Sequence, residues 1–242
     1  YGELGNGEVA NKQTPVVING MHDVLDIQGG KSHYIILKTN GKIYAVGSNL
    51  YGQIGVNLGD KSRTLEYELI DTTQKFATIS ASWTSNIATT IDGQVYSWGQ
   101  NTYGQLGTGD KTNRTTLTKV SGVSNIVEAK IGKTHTILRD YNEEIWLAGT
   151  NSYGQLGNGT VTNGYTFAKC NSIDEVLRVT AGNTYTVVMK DDGTVWAWGD
   201  YNHGNKNLKS RTNAKVPIKI GSDDISLDKL EVVIKKSELA SI

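Results

Sequence analysis

A five-residue glycine motif returns along this chain at a nearly fixed interval. Tyr1-Gly2-Glu3-Leu4-Gly5 recurs as Tyr51-Gly52-Gln53-Ile54-Gly55, Tyr103-Gly104-Gln105-Leu106-Gly107 and Tyr153-Gly154-Gln155-Leu156-Gly157. A worn copy stands at His203-Gly204-Asn205-Lys206-Asn207. The second residue of the motif falls at 2, 52, 104, 154 and 204, giving intervals of 50, 52, 50 and 50. Such a period means one supersecondary unit copied along the chain, each copy burying its apolar faces against its neighbours.

Each unit has the same grammar. About five residues before the motif, Gly47, Gly99, Gly149 or Gly199 ends a short segment: Ile43–Val46, Val95–Trp98, Ile145–Ala148 or Val195–Trp198. These segments are rich in β-branched and aromatic residues, which suit a pleated, half-buried surface. Asn40-Gly41, Asp92-Gly93 and Asp192-Gly193 precede three of them and predict two-residue hairpin turns. Asn142-Glu143 stands in the third copy, where a longer or differently shaped turn is expected. A second strand precedes each turn (Tyr34–Leu37, Thr136–Leu138, Thr186–Met189), apolar enough for burial on both faces. Another lies earlier, at Val24–Ile27, Ile126–Ala129 and Val176–Val179, and a weaker fourth follows the motif, at Val16–Ile18 and Val216–Ile220. No helical period persists. Four antiparallel strands per repeat are what a β-propeller blade requires, so the chain reads as all-β, a propeller with four to five blades visible.

Written out, Trp98-Gly99-Gln100-Asn101-Thr102-Tyr103-Gly104-Gln105-Leu106-Gly107-Thr108-Gly109 resembles the regulator of chromosome condensation repeat family. Gly132-Lys133-Thr134-His135-Thr136-Ile137-Leu138 extends the resemblance, which covers residues 1–220. It implies a propeller, usually seven-bladed, whose loops bind proteins. Members include an exchange factor for a small GTPase that also binds chromatin, ubiquitin-ligase and ciliary modules, bacterial surface proteins and a β-lactamase inhibitor. Seven blades need roughly 350 residues at this period, and the chain of 242 has fewer units. It is therefore expected to be part of a longer ring, the alternative being a small ring closed by pairing its ends. Residues 1–242 read as one repeat domain, with an incomplete last unit at 221–242. The exchange-factor role is not carried over, because there is no inserted hairpin or basic tail.

Composition narrows the function. Lysine plus arginine (24) balances aspartate plus glutamate (24), without the electrostatic footprint of a nucleic-acid binder. No apolar run approaches the roughly 20 residues of a membrane-spanning helix, and no signal peptide is visible, although the chain does not start with Met. The compartment reads as cytoplasmic or bacterial extracellular, and low proline with abundant Lys, Asn, Ile and Thr points to a bacterial member. The single cysteine, Cys170, excludes an internal disulfide and a cysteine-based metal site.

Catalytic and metal chemistry finds little support. Gly104–Thr112 skims past a phosphate-binding loop, but Asp110 separates Gly109 from Lys111 where Gly must be followed directly by Lys. His33 and His135 share one slot in different units and read as hydrogen-bonding spacers at a strand start. Neither they nor His22 and His203 assemble with a nucleophile, so no catalytic residue, metal or cofactor is expected. Asp191-Asp192 is explained by its hairpin, and Asp223-Asp224 alone lacks the alternating oxygens of a calcium loop. Asn113-Arg114-Thr115 and Asn158-Gly159-Thr160 are glycosylation sequons, meaningful only in a secreted eukaryotic protein.

Residues that break the repeat template at exposed slots are the candidates for function. The loop between first and second strands holds Lys31, Trp83, Lys133 and Asn183 at one equivalent position, the predicted partner-binding set. Trp83 is the outlier, a residue type enriched at binding hot spots. The competing reading folds it down into the gap left where Ser82 and Ser85 replace the usual Gly and His. Tyr67, Tyr165 and Phe167 are weaker candidates. The chain thus reads as a non-catalytic protein-binding module, the alternative being a structural segment of a larger secreted or surface bacterial protein.

Overall fold

The structure is a computed structural model and describes residues 2–70, 73–200 and 213–220. Strands are the regular elements of the described residues, and they form four sheets of four. The first sheet contains β1 (Val24–Gly29), β2 (His33–Lys38), β3 (Ile43–Ser48) and β4 (Arg63–Ile70). The second contains β5 (Phe76–Ser82), β6 (Ser85–Thr90), β7 (Val95–Gly99) and β8 (Arg114–Lys119). The third is β9 (Ile126–Ile131), β10 (His135–Asp140), β11 (Ile145–Gly149) and β12 (Gly164–Lys169). The fourth is β13 (Val176–Ala181), β14 (Tyr185–Lys190), β15 (Val195–Gly199) and β16 (Ala214–Ile220). Each is an antiparallel meander in chain order, a propeller blade. The worn motif at 203–207 and the unit expected at 221–242 lie outside the described residues.

The core lies between blades. Ile35, Leu37, Ile43 and Ile54 of the first blade pack on Phe76, Ile79, Ala88 and Trp98 of the second. Comparable clusters join the second blade to the third and the third to the fourth. This is why β2, β6 and β10 are buried almost throughout, their Ser, Asn, Thr and His side chains included: each is covered on both faces. Val24 and Ile27 of β1 show the complementary effect. They are 42% and 53% exposed, whereas Phe76 and Ile79, their equivalents in β5, are 2% and 1% exposed under the preceding blade. No blade of the described residues covers β1 in that way.

The glycine motif interlocks the blades. Gln53 Oε1 accepts the Tyr51 N–H at 2.9 Å, a contact repeated by Gln105 with Tyr103 and Gln155 with Tyr153. The backbone carbonyl of Gln53 accepts hydrogen bonds from Asn86 Nδ2 and Trp98 Nε1 of the next blade, at 2.9 and 3.1 Å. Gln155 O does the same for Thr186 Oγ1 and Trp198 Nε1. The first motif is docked likewise: Gly7 N–H donates to Leu65 O in β4 at 2.9 Å.

Glycine is demanded where the third strand ends. Gly47, Gly99, Gly149 and Gly199 have φ between 96° and 119°. A Cβ at any of them would stand 2.4–2.5 Å from a backbone carbonyl oxygen of the turn beside it. Ladder register also shifts there, between Ala45 and Gly47 and at the equivalent places.

Three local expectations are corrected. The hairpins carry three-residue loops, closed by Lys38 N–H on Lys42 O and Gly41 N–H on Lys38 O, with only Gly41 left-handed. The Asn142-Glu143 turn has this same shape: Glu143 adopts φ 63°, and its N–H bonds to Asp140 O at 3.1 Å. The Asp140 carboxylate holds the loop by accepting from the N–H groups of Asn142 and Glu144, at 2.9 and 3.0 Å. Val16–Ile18 is not a strand. A fourth strand pairs with the third strand ahead of its own motif, as β4 does with β3, and no described strand stands in that relation to Val16–Ile18.

Candidate functional site

The turns joining first to second strands lie at one end of the propeller and touch in succession. Lys31 N–H donates to Trp83 O at 2.6 Å, linking the first blade to the second. Thr134 Oγ1 donates to Asn183 O at 2.8 Å, linking the third to the fourth. Trp83 then reaches past the third blade, and its Nε1–H donates to Asn183 Oδ1 at 3.2 Å. The ammonium groups of Lys31 and Lys133 stand 5.2 and 3.9 Å from the centroid of its ring, within cation–π range. All four residues of the slot therefore meet, around one indole. Among the described residues neither lysine has a carboxylate at ion-pair distance, unlike Lys169 with Glu144 or Lys190 with Asp174.

Trp83 is half-buried and has φ 49°, a left-handed conformation that bulky residues seldom adopt. It does not fill the gap left by the missing histidine. Ser85 occupies that place itself, donating to Gln100 O at 2.8 Å and accepting from Gln105 Nε2 at 3.2 Å.

Beneath the turns, the two histidines of the slot bridge blades. His33 Nε2 bonds to Asn86 Oδ1 at 2.7 Å and His135 Nε2 to Thr186 Oγ1 at 2.8 Å. Asn86 donates its amide to Gln53 O, so its oxygen faces His33 as acceptor. Burial lowers the His33 pKa, with the Asn86 bond pulling the other way, and burial takes His135 down to about 4. Both rings are thus neutral at pH 7, and they lie in different blade interfaces. The described residues bring no three His, Cys, Asp or Glu side chains together as a metal site. Asp110, in the loop that skims past a phosphate motif, accepts from Thr112 N at 2.9 Å and pairs with Arg114 at 2.7 Å.

The weaker aromatic candidates serve the fold. Tyr67 lies over Gly5, Tyr165 over Gly104 and Phe167 over Gly107, filling the room that each motif glycine leaves. One surface escaped the sequence reading. At the opposite end, Ile91 and Tyr141 are 71% and 79% exposed on neighbouring hairpins and border a cleft of about 530 Å³. The same slot holds Thr39, Ile91, Tyr141 and Asp191, so the template-breaking criterion would have found this pair if applied to the second hairpin.

Comparison with known proteins now bears on this geometry. The sequence profiles of the regulator of chromosome condensation (RCC1) repeat match residues 24–53, 76–105 and 92–138. These segments are similar to RCC1 repeats. The ultraviolet-B receptor UVR8 of Arabidopsis thaliana is 33% identical to the chain over 117 residues, 47% of the chain and 26% of its own length. The regulator of chromosome condensation of Drosophila melanogaster is 38% identical over 92 residues, 37% of the chain and 16% of its own. The chain therefore matches only 26% and 16% of the length of these relatives, both eukaryotic. Human WBSCR16 superposes with a TM-score of 0.80 at 19% identity, over 92% of the chain and 60% of that structure. Prp20p of Saccharomyces cerevisiae, described with its binding properties to Gsp1p and histones, gives 0.76 at 19% identity, over 86% and 52%. The superpositions thus show the β-propeller fold that the glycine period predicts.

Proposed function

We propose that this chain is a non-catalytic protein-binding module whose RCC1 blades present the Lys31, Trp83, Lys133 and Asn183 turns to a protein partner. The observation that carries this reading is the convergence of Lys31, Lys133 and Asn183 on the template-breaking Trp83 at one end of the blades. The turns are tied to each other and to rigid strands, so docking orders little that is not already ordered. The relative that binds Gsp1p and histones supports a protein partner in kind, without naming this one. Zero net charge argues against nucleic acid, and the Lys-, Asn-, Ile- and Thr-rich composition favours a bacterial source.

The test is capture from host lysate and secreted fraction by the chain beside its Trp83→Ala form, both checked for folding. A partner held by the first and lost from the second supports the reading, and equal capture moves the contact face elsewhere. The exposure of Val24 and Ile27 favours a second role, as one stretch of a longer repeat structure in a larger protein. That role would stand alone if neither form captured anything.

A further inference from the structure

We infer that the Trp83 cluster takes an acidic peptide segment, two carboxylates spaced two residues apart meeting Lys31 and Lys133 while the intervening chain lies across the indole. The inference rests on the reading of this end of the propeller as a protein-binding face and names the chemistry of its partner.

Three features carry it. Two ammonium groups are gathered over one ring, and no carboxylate of the described residues neutralises either. Three other lysines, Lys12 with Glu8, Lys169 with Glu144 and Lys190 with Asp174 and Glu175, do pair with carboxylates. Among the described residues, the carboxylate bonded to these turns is Asp200, which accepts from Thr184 Oγ1 at 3.2 Å, in the fourth blade. An anionic partner would therefore supply charge that the described residues withhold here.

The spacing follows from the shared ring. The two ammonium groups can be no farther apart than their ring distances together allow. An extended peptide places side chains i and i+2 on the same face about 6.6 Å apart, a span inside that limit. Trp83 supplies the apolar floor between them, anchored by Asn183 and so already in place before a ligand arrives.

A peptide suits the site better than nucleic acid. Duplex binding draws on many neutralised phosphates, whereas two lysines on a chain of zero net charge supply a local contact rather than a track.

The experiment follows the indole N–H resonance of Trp83, identified among the five tryptophans by its absence from Trp83→Phe. The 242-residue chain is titrated with acetyl-Ala-Glu-Ala-Glu-Ala-amide, its Gln-for-Glu counterpart, and a five-residue oligothymidylate. The Glu peptide is expected to shift the Trp83 signal saturably. Affinity should fall roughly tenfold for the Gln peptide and for Lys133→Gln, as loss of a charge-assisted contact implies. It should fall again at high salt, and circular dichroism confirms that Lys133→Gln is folded. Equal shifts from Glu and Gln peptides, equal shifts from oligothymidylate, or no shift at all would overturn the inference. If the peptide is inert yet Trp83→Ala still abolishes partner capture, the acidic-segment inference fails and the binding face stands. If capture is also indifferent to Trp83, both fail.

Discussion

Trp83 and Asn183 are joined side chain to side chain at 3.2 Å across 100 residues of sequence, from the second blade to the fourth. The contact ties together turns whose blades are not neighbours, and it does so at the surface. Its energetic signature should differ from that of a core tryptophan. Trp98 is fully buried and donates to Gln53 O of the preceding blade, so Trp98→Ala is expected to cost about 3–5 kcal/mol. Trp83→Ala should cost about 1 kcal/mol, because the ring is only half-buried and its polar partners return to water. Trp83→Gly should be at least as stable as Trp83→Ala, since glycine adopts the left-handed φ without penalty. Urea midpoints of the three variants decide this. A Trp83→Ala loss equal to that of Trp98→Ala would make Trp83 a core residue and remove it from the binding face.

Gly157 and Gly193 separate two costs that positive-φ glycines usually combine. Both are left-handed, at φ 68° and 80°. A Cβ on Gly157 would come within 2.7 Å of Trp198 Nε1, while one on Gly193 would meet nothing within 4 Å. Alanine at Gly193 should therefore cost only the backbone term, about 1–2 kcal/mol. At Gly157 it should cost about 1–3 kcal/mol more, as expected for overpacking, because Trp198 is pushed off its bond to Gln155 O. Equal losses in urea unfolding would show that Trp198 shifts freely.

The blade was legible because its determinants are local and repeated. Gly47 and its equivalents are fixed by a carbonyl that would strike any Cβ, and the alternation of Ile, Val and Trp around them marks the strands. Contacts between repeats were not legible in the same way. Nothing in the spacing says that Phe167 covers Gly107, since the two come together only when one blade stacks on the next. Glu143 shows a local limit as well: Asp140 holds the turn by accepting two backbone N–H bonds, so the missing glycine did not change its shape. The slot of Lys31, Trp83, Lys133 and Asn183 was readable from alignment of the repeats, but the bond from Trp83 to Asn183 required the curvature of the second to fourth blades.

Ile27 and Ile79 occupy the same position of the repeat and should differ sharply in weight. Ile79 is closed off by the first blade, so Ile79→Ala is expected to cost about 2–5 kcal/mol. Ile27, 53% exposed, should lose less than about 1 kcal/mol on the same change. Thermal or urea unfolding of the two variants tests this directly. A large loss at Ile27 would mean that its face is covered in solution, by another blade or a second copy of the chain.

His135 makes stability depend on pH in a defined window. Its ring is buried without charge, its pKa falling from the usual 6.5 to about 4, so between those values the unfolded chain binds a proton that the folded chain refuses. The contribution is complete above pH 6.5 and is lost as pH falls toward 4, on the order of 3 kcal/mol in all. His33 is lowered by the same cause and adds in the same direction. Asp110 and Asp192, held below the usual carboxylate range by hydrogen bonds from Arg114 and Thr194, act only at still lower pH. Urea unfolding at pH 7.5, 6 and 5 should therefore show a decline that shrinks in His135→Gln, which keeps a donor for Thr186 but cannot take up the proton. A wild-type profile flat from pH 7.5 to 5, or a decline unchanged by the substitution, would show that the imidazole charges in place and that the blade interface admits water.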